Sequence, residues 1–259
     1  MVTKKTVLTR SLEAVVLAVL LLFYAPLVWT CVKAFWTDEG VGFYWFSELL
    51  NDPSFFEALK NSFVLALCSS VFSVVLSSLA VLQLSKTSAL RAYDQLMAVS
   101  ISLPEIVMAL SLLSFFSWLG LSLGFFSAWL AHTTLTLAFS FWILSVHFQS
   151  LDSSLVEAAQ DLGADTKSIL LQILLPQMRP ALFSSFWICF LISLDDFLIS
   201  FFVTGSSYET LPLKLFSMIK VGLNPKVNAL SFLILLVSSL ILVSLYGVWS
   251  KQSQRKVKP

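Results

Sequence analysis

The chain has 259 residues, 58% of them hydrophobic and 12% charged, where a soluble domain carries about 45–50% and about 25%. A soluble globule could not cover its surface with so little charge. A net charge of +1, abundant aromatics and few glycines and prolines exclude a disordered chain, a collagen-like fibre and a nucleic-acid binder, leaving a polytopic membrane protein.

In chain order, the charge-free runs mark the spans. Ala14 to Val32, Asn61 to Ser85 and Val227 to Ser250 hold no charged residue. Gln95 to Leu151 holds only Glu105, and Pro180 to Tyr208 only Asp195 and Asp196. A helix needs about 20 apolar residues to cross the hydrocarbon core, and Gly120 with Gly124 divides the long middle run in two. Six transmembrane helices are therefore predicted, near 12–32, 61–84, 95–117, 126–149, 182–203 and 229–250. They should be helices because lipid offers no partner to an unpaired backbone group, and the short alternating segments of a barrel are missing. The expected fold is an all-α membrane protein, with residues 1–259 forming one transmembrane domain.

Lys and Arg set the orientation. With both ends inside, the inner side holds Lys4, Lys5, Arg10, Lys86, Arg91, Lys167, Arg179, Lys251, Arg255, Lys256 and Lys258, against Lys33, Lys60, Lys214, Lys220 and Lys226 outside. This excess predicts both termini in the cytoplasm. The first segment reads as a retained helix, since its apolar stretch is long for a signal peptide and no small-x-small site follows Pro26. Cys31, Cys68 and Cys189 fall in different spans without ligand spacing and read as small apolar residues, so no metal site is expected. His132 and His147 read as polar packing partners.

The inner loop 152–181 is amphipathic and reads as helix, turn, helix. Ser153 or Ser154 can cap the first helix, with Glu157 as capping-box partner. Gly163 supplies the left-handed position that ends it. Asp165 or Thr166 can cap the second, whose apolar face is Ile169, Leu170, Ile173 and Leu174, before Pro176 and Pro180 break the pattern. Its polar side is acidic, unlike a membrane-surface helix, so a protein-docking element is predicted. None of the eight glycines begins a G-x-x-x-x-G-K-[ST] phosphate loop.

Glu157-Ala158-Ala159, three residues, Gly163, nine residues, then Ile173-Leu174-Leu175-Pro176 resembles the E-A-A loop of bacterial ABC importer permeases. The resemblance to this MetI-like type I family spans essentially the whole chain. It implies that the loop docks in a partner ATPase, with Glu157, Ala158, Ala159 and Gly163 at the contact. Ile173, Leu175 and Pro176 would then hold the loop against the membrane domain. It also implies ATP-binding subunits that carry the ATP and magnesium, a second homologous permease, and an extracytoplasmic binding protein. The location implied is the bacterial inner membrane, and the chain itself would be a permease without enzymatic activity or a cofactor of its own.

Glu105, Asp195 and Asp196 lie at membrane depth, where a carboxylate costs about 2.5–3.5 kcal/mol on insertion scales, and nothing basic is evident to pair with them. Pro104 should kink the third helix and free the carbonyl of Ser100 beside Glu105. Adjacent aspartates point about 100° apart on a helix, so one can serve a site and the other a helix contact. Trp187, Phe190, Phe197 and Phe201 could offer aromatic faces to an ammonium group. This arrangement suits a cation path.

The strings Ser102-Leu103-Pro104-Glu105-Ile106-Val107-Met108-Ala109 and Val203 to Lys214, with Asp195-Asp196, resemble the spermidine/putrescine branch of the same family, whose usual acid at Glu105 is the shorter Asp. The branch implies a polyamine substrate and a polyamine-binding protein as partner. Loops 34–58, with Asp38, Glu39, Glu48, Asp52 and Glu57, and 204–228 would meet that protein, 204–228 including a short helix that starts near Pro212 and ends at Gly222 and Pro225. An importer for another small solute, an ion-coupled transporter or channel, and a non-transporting membrane scaffold are the competing readings.

Overall fold

The computed structural model describes residues 2–37, 40–84, 90–222 and 225–257, with side chains described between 12 and 244 within those stretches and at Gly247. Asp38, Glu39 and Lys86 lie outside them, as do the side chains of Lys4, Lys5 and Arg10. In order the elements are α1 (Val2–Ala34), the antiparallel pair β1 (Trp36–Thr37) and β2 (Gly40–Val41), α2 (Tyr44–Leu50), α3 (Pro53–Leu84), α4 (Leu90–Ser102), α5 (Glu105–Trp118) and α6 (Phe125–Gln149). They continue with α7 (Ser154–Asp161), α8 (Thr166–Ser168), a π-helical turn (Ile169–Leu174), α9 (Leu175–Asp195), α10 (Leu198–Val203), α11 (Leu211–Val221) and α12 (Lys226–Val257).

Among the described residues five helices are long and apolar enough to cross a bilayer, and α4 with α5 makes a sixth if that bent pair counts as one span. Spans one, two, four and six fall where the charge-free runs put them. The other two differ from expectation. The third is broken rather than kinked: α4 and α5 meet at 99°. Pro104 is extended (φ −57°, ψ 128°), so one helix stops at Ser102 and another starts at Glu105. The Ser100 carbonyl is not free, because Leu103 N–H donates to it at 3.4 Å.

The fifth span starts earlier and also breaks. Pro176 and Pro180 do not end the preceding helix; α8, the π turn and α9 run on from Thr166 to Asp195. Pro176 occupies the first turn of α9, where its missing N–H costs little. The wider π turn just before it relieves the clash a proline ring makes with the carbonyl four residues back. Asp196 is then extended (ψ 121°), which ends α9 before α10 begins.

Internal contacts group the chain into two compact units: residues up to Phe55 with Leu215–Ser239, and Phe56–Lys214 with the residues from Leu240 on. In the first, Phe35 packs against Phe43, Phe46 and Phe232, and Lys226 pairs with Glu48. Lys33 lies over the rings of Trp29 and Trp36, and Trp45 Nε1 donates to the Trp36 carbonyl.

The second unit is held by stripes of small and polar residues spaced four apart, a pattern that lets membrane helices approach closely and hydrogen-bond across. These are Ser69, Ser73 and Ser77 on α3, Ala128, His132, Thr136 and Ser140 on α6, and Ser185, Cys189 and Ser193 on α9, all buried. Ser73 Oγ lies 2.7 Å from Thr136 Oγ1, Ser185 Oγ donates to Ser140 Oγ, and Cys189 Sγ donates to the Thr136 carbonyl. An apolar cluster closes each end. One joins Leu65, Ala109, Phe116, Ala128, Ala131, Ile199 and Val203; the other joins Val81, Leu90, Phe141, Leu144, Met178 and Ala181.

Ser73→Leu should therefore lower the melting temperature of the purified protein, because overpacking costs about 1–3 kcal/mol and the Ser73 contact to Thr136 is lost. Val75→Leu, at a half-exposed position on the same helix, should leave the melting temperature unchanged. Equal melting of the two variants would contradict this packing.

Candidate functional site

The two unexpected helix breaks are neighbours: α5 packs on α10, with Ala109 and Phe116 against Ile199 and Val203. Each break puts a carboxylate at a helix N-terminus, where unpaired N–H groups and the helix dipole favour negative charge. Glu105 is the first residue of α5. Asp196 precedes α10, and its Oδ1 and Oδ2 accept the N–H groups of Ile199 (3.3 Å) and Ser200 (2.8 Å).

Asp196 is not unpaired, as the sequence suggested. His132 Nε2 lies 3.2 Å from its Oδ2, and both side chains are buried. The other ring nitrogen, Nδ1, stands 2.7 Å from the Ser193 hydroxyl. Ser200 Oγ stands 3.0 Å from Nε2, and Ser69 Oγ stands 3.0 Å from Ser193 Oγ. His132 is thus a polar packing partner, as the sequence suggested, and its partner is one of the three acids. The signal that could have found it is its place in the buried stripe Ala128, His132, Thr136, Ser140.

The three acids divide as the sequence allowed. Asp196 is 5% exposed and serves the helix contact. Asp195, the last residue of α9, is exposed, and so is Glu105, whose carboxyl hydrogen-bonds the Asp196 side chain. Of the expected aromatic faces, Phe190 is buried among Phe63, Phe186 and Trp187. Phe201 is 45% exposed, with Phe197 beside it at 5.6 Å between centroids. Among the described residues no three His, Cys, Asp or Glu side chains group as metal ligands.

At the opposite end of the second unit stands the loop with the E-A-A pattern. Gly163 ends α7 as expected: its φ is +79°, its N–H donates to the Gln160 carbonyl, and Ala164 N–H donates to Ala159. The expected capping box does not form. Ser153 makes no side-chain cap, and Asp152 instead accepts the Ser154 N–H at 2.9 Å, which holds its carboxyl below the usual range. Asp165 does start the next helix, and the Ser168 hydroxyl lowers its carboxyl in the same way.

Glu157 and Ala158 are exposed and Ala159 half-buried, while Leu155 and Leu162 are 51% and 89% exposed. This is a short helix with an unpaired apolar and acidic surface. Ile173 and Pro176 are half-buried and Leu175 is 37% exposed. Beneath α7 is a recess of about 680 Å³, walled by Leu79, Leu82 and Phe148 on one side and Val156, Glu157 and Ile169 on the other.

The segment after α10 is tied to the start of α3. Tyr208 Oη donates to the Asn61 carbonyl at 2.7 Å, Asn61 Nδ2 to the Glu209 carbonyl, and Leu211 N–H to Ser62 Oγ. Burial pushes the Tyr208 phenol up to about 12, so it stays a donor. Gly205 (φ +64°) lies where an added Cβ would come within 3.0 Å of Leu123. α11 starts and ends as predicted, with Pro212 in its first turn and Gly222 after its last. Two of the acids expected to face a binding protein have local partners: Glu48 pairs with Lys226, and Asp52 caps α3 through Ser54.

Comparison with known proteins gives consistent results. The family model for the binding-protein-dependent transport system inner membrane component matches residues 6–259. The spermidine/putrescine transport system permease protein PotC of Escherichia coli (strain K12) is 38% identical over 228 residues, 85% of this chain and 86% of that protein. The putrescine transport system permease protein PotI of the same strain is 32% identical over 227 residues, 82% and 81% of the two chains. A crystal structure of a bacterial ABC transporter involved in the import of the acidic polysaccharide alginate superposes with a TM-score of 0.71. The two chains share 15% identity, over 99% of this chain and 98% of that one.

Proposed function

Because the chain belongs to the binding-protein-dependent transport system inner membrane component family, we propose that it is the permease subunit of an ATP-driven ABC importer for polyamines. The family and the fold support the importer class. The names of the two relatives support the substrate, and so does one observation on this chain: two exposed carboxylates, Glu105 and Asp195, stand at helix breaks that pack together. A linear cation with ammonium groups separated by methylenes matches spaced carboxylates, and α10 adds an exposed ring, Phe201.

In this reading the chain sits in a bacterial inner membrane with both termini in the cytoplasm. It pairs with a second homologous permease, over two ATP-binding subunits that hold ATP and magnesium. Glu157, Ala158, Ala159 and Gly163 seat α7 in an ATPase subunit, and Ile173, Leu175 and Pro176 pass its movement to α9. The continuous helical path from Thr166 to Asp195 supports that route, since it runs from just after Gly163 to the acidic break. ATP binding closes the ATPase pair, the path opens outward, and an external polyamine-binding protein delivers its cargo. Glu105 and Asp195 then hold the cation only weakly, because both face water and a transit site must release what it binds.

The test is uptake of radiolabelled spermidine into proteoliposomes holding the full complex. Spermidine and putrescine should compete with the label, while a neutral amino acid should not, and uptake should require ATP. Uptake that persists without the ATPase subunits and collapses with the proton gradient would replace this reading with an ion-coupled transporter.

A further inference from the structure

We propose that His132 is a positioning residue for the cation path: by clamping the α9–α10 break it fixes where Asp195 stands. The inference rests on the reading of Asp195 as a path residue and adds to it a residue whose side chain does not reach the path.

The clamp has three attachment points. Nδ1 holds Ser193 on the last turn of α9, and Nε2 lies within reach of both Asp196 in the break and Ser200 on the first turn of α10. One rigid ring therefore spans the break from arm to arm. Its own helix is fixed, since α6 packs closely on α9 and also on α10. Asp195 sits between two clamped residues, Ser193 and Asp196, and its direction follows from theirs.

Asp196 is consumed by the clamp. A carboxylate has about four lone-pair sites. Those of Asp196 face Ile199 N–H, Ser200 N–H, His132 and Glu105. Nothing on it is left for a passing ammonium group, so the free carboxylate offered to the substrate is Asp195, with the Glu105 carboxyl, bonded to Asp196, beside it.

A bland alternative is that His132 is only polar glue between helices. The two differ in what a variant does once assembled. In the full complex, His132→Leu should still co-purify with its partners and reach half-maximal uptake at about the same concentration of loaded binding protein. Its turnover should fall about tenfold to a hundredfold, because a misplacement of about 1 Å can cost up to about a hundredfold. His132→Gln, which keeps a donor toward Asp196, should recover part of the loss. In an Asp195→Asn background, His132→Leu should cost almost nothing further.

If His132→Leu fails to assemble, Ser193→Ala and Ser200→Ala each cut one arm and should each lower turnover without moving the half-saturation point. A full multiplicative loss in the Asp195→Asn background, or normal turnover in His132→Leu, overturns the proposal. A second readout does not depend on the substrate. With Cys31, Cys68 and Cys189 replaced by Ala, the rate at which a water-soluble thiol reagent modifies Asp195→Cys should change about tenfold on adding His132→Leu. An unchanged rate refutes the clamp even if spermidine proves not to be the substrate. Absence of any polyamine uptake by the unmodified complex, with the modification rate changed, refutes the polyamine reading and leaves the clamp standing.

Discussion

Uptake of labelled spermidine by the assembled transporter should fall by about a hundredfold or more when Glu105→Gln and Asp195→Asn are combined. A hydrogen bond to a charged group contributes about 1.5–3 kcal/mol, and two such contacts to a cation in transit would be lost together. Both side chains are exposed, and neither amide leaves a buried donor unpaired, so the double variant should insert and assemble normally. Asp196→Asn should behave differently. It turns one of the two oxygens that meet Ile199 N–H, Ser200 N–H and His132 into a donor inside the helix packing. Its main effect should be less assembled complex, with uptake per complex reduced less. Assembly is read by co-purification and transport by initial rates per complex. A double variant that assembles and transports normally would remove Glu105 and Asp195 from the path.

Gly163→Asp should abolish uptake while leaving the chain in the membrane. Its φ of +79° is a left-handed conformation that costs an L-residue about 1–2 kcal/mol. A carboxylate there also faces the negative end of the α7 dipole, at a further cost of about 0.3–1 kcal/mol. An eight-residue helix has little to set against that, and α7 has no buried residue of its own. No atom lies within 4 Å of the position of the added Cβ, so the harm is confined to the conformation of the loop. Gly163→Ala carries the strain without the charge and should be milder. The check is the amount of chain in the membrane fraction against the amount of ATPase that co-purifies. Normal co-purification would mean that α7 is not the docking element.

Much of this architecture is legible in the chain because lipid imposes a simple rule. Four spans could be placed from the missing charges alone, and Gly163 announced the end of α7, because no other residue type takes that conformation cheaply. The breaks were half legible. Pro104 marks a disturbance, but whether a proline bends a helix or splits it depends on what packs against the gap, here α10. Nothing local marks the break at Asp196, which is stabilised by an imidazole on α6; the Ser193 and Ser200 contacts of His132 join residues 61 and 68 positions apart. The small-residue stripes were visible as spacing, but which stripes meet is a question of helix order in space. The π turn lies before a proline that a sequence pattern reads as a stop, and only its packing in a continuous helix allows the chain to pass.

The break at Pro104 also says something about what can surround this chain. At about 1.5 Å per residue, the 13 residues of α4 and the 14 of α5 reach about 20 Å each, short of a hydrocarbon core of about 30 Å. Ser102, Leu103 and Pro104 are exposed on this subunit, where the helical hydrogen-bond ladder is interrupted. Hydrocarbon cannot satisfy such backbone groups, and irregular backbone at membrane depth survives only beside water or other protein. The face around Pro104 is therefore one that lipid cannot wet. Wherever this stretch lies at membrane depth, water or another protein surface must stand against it.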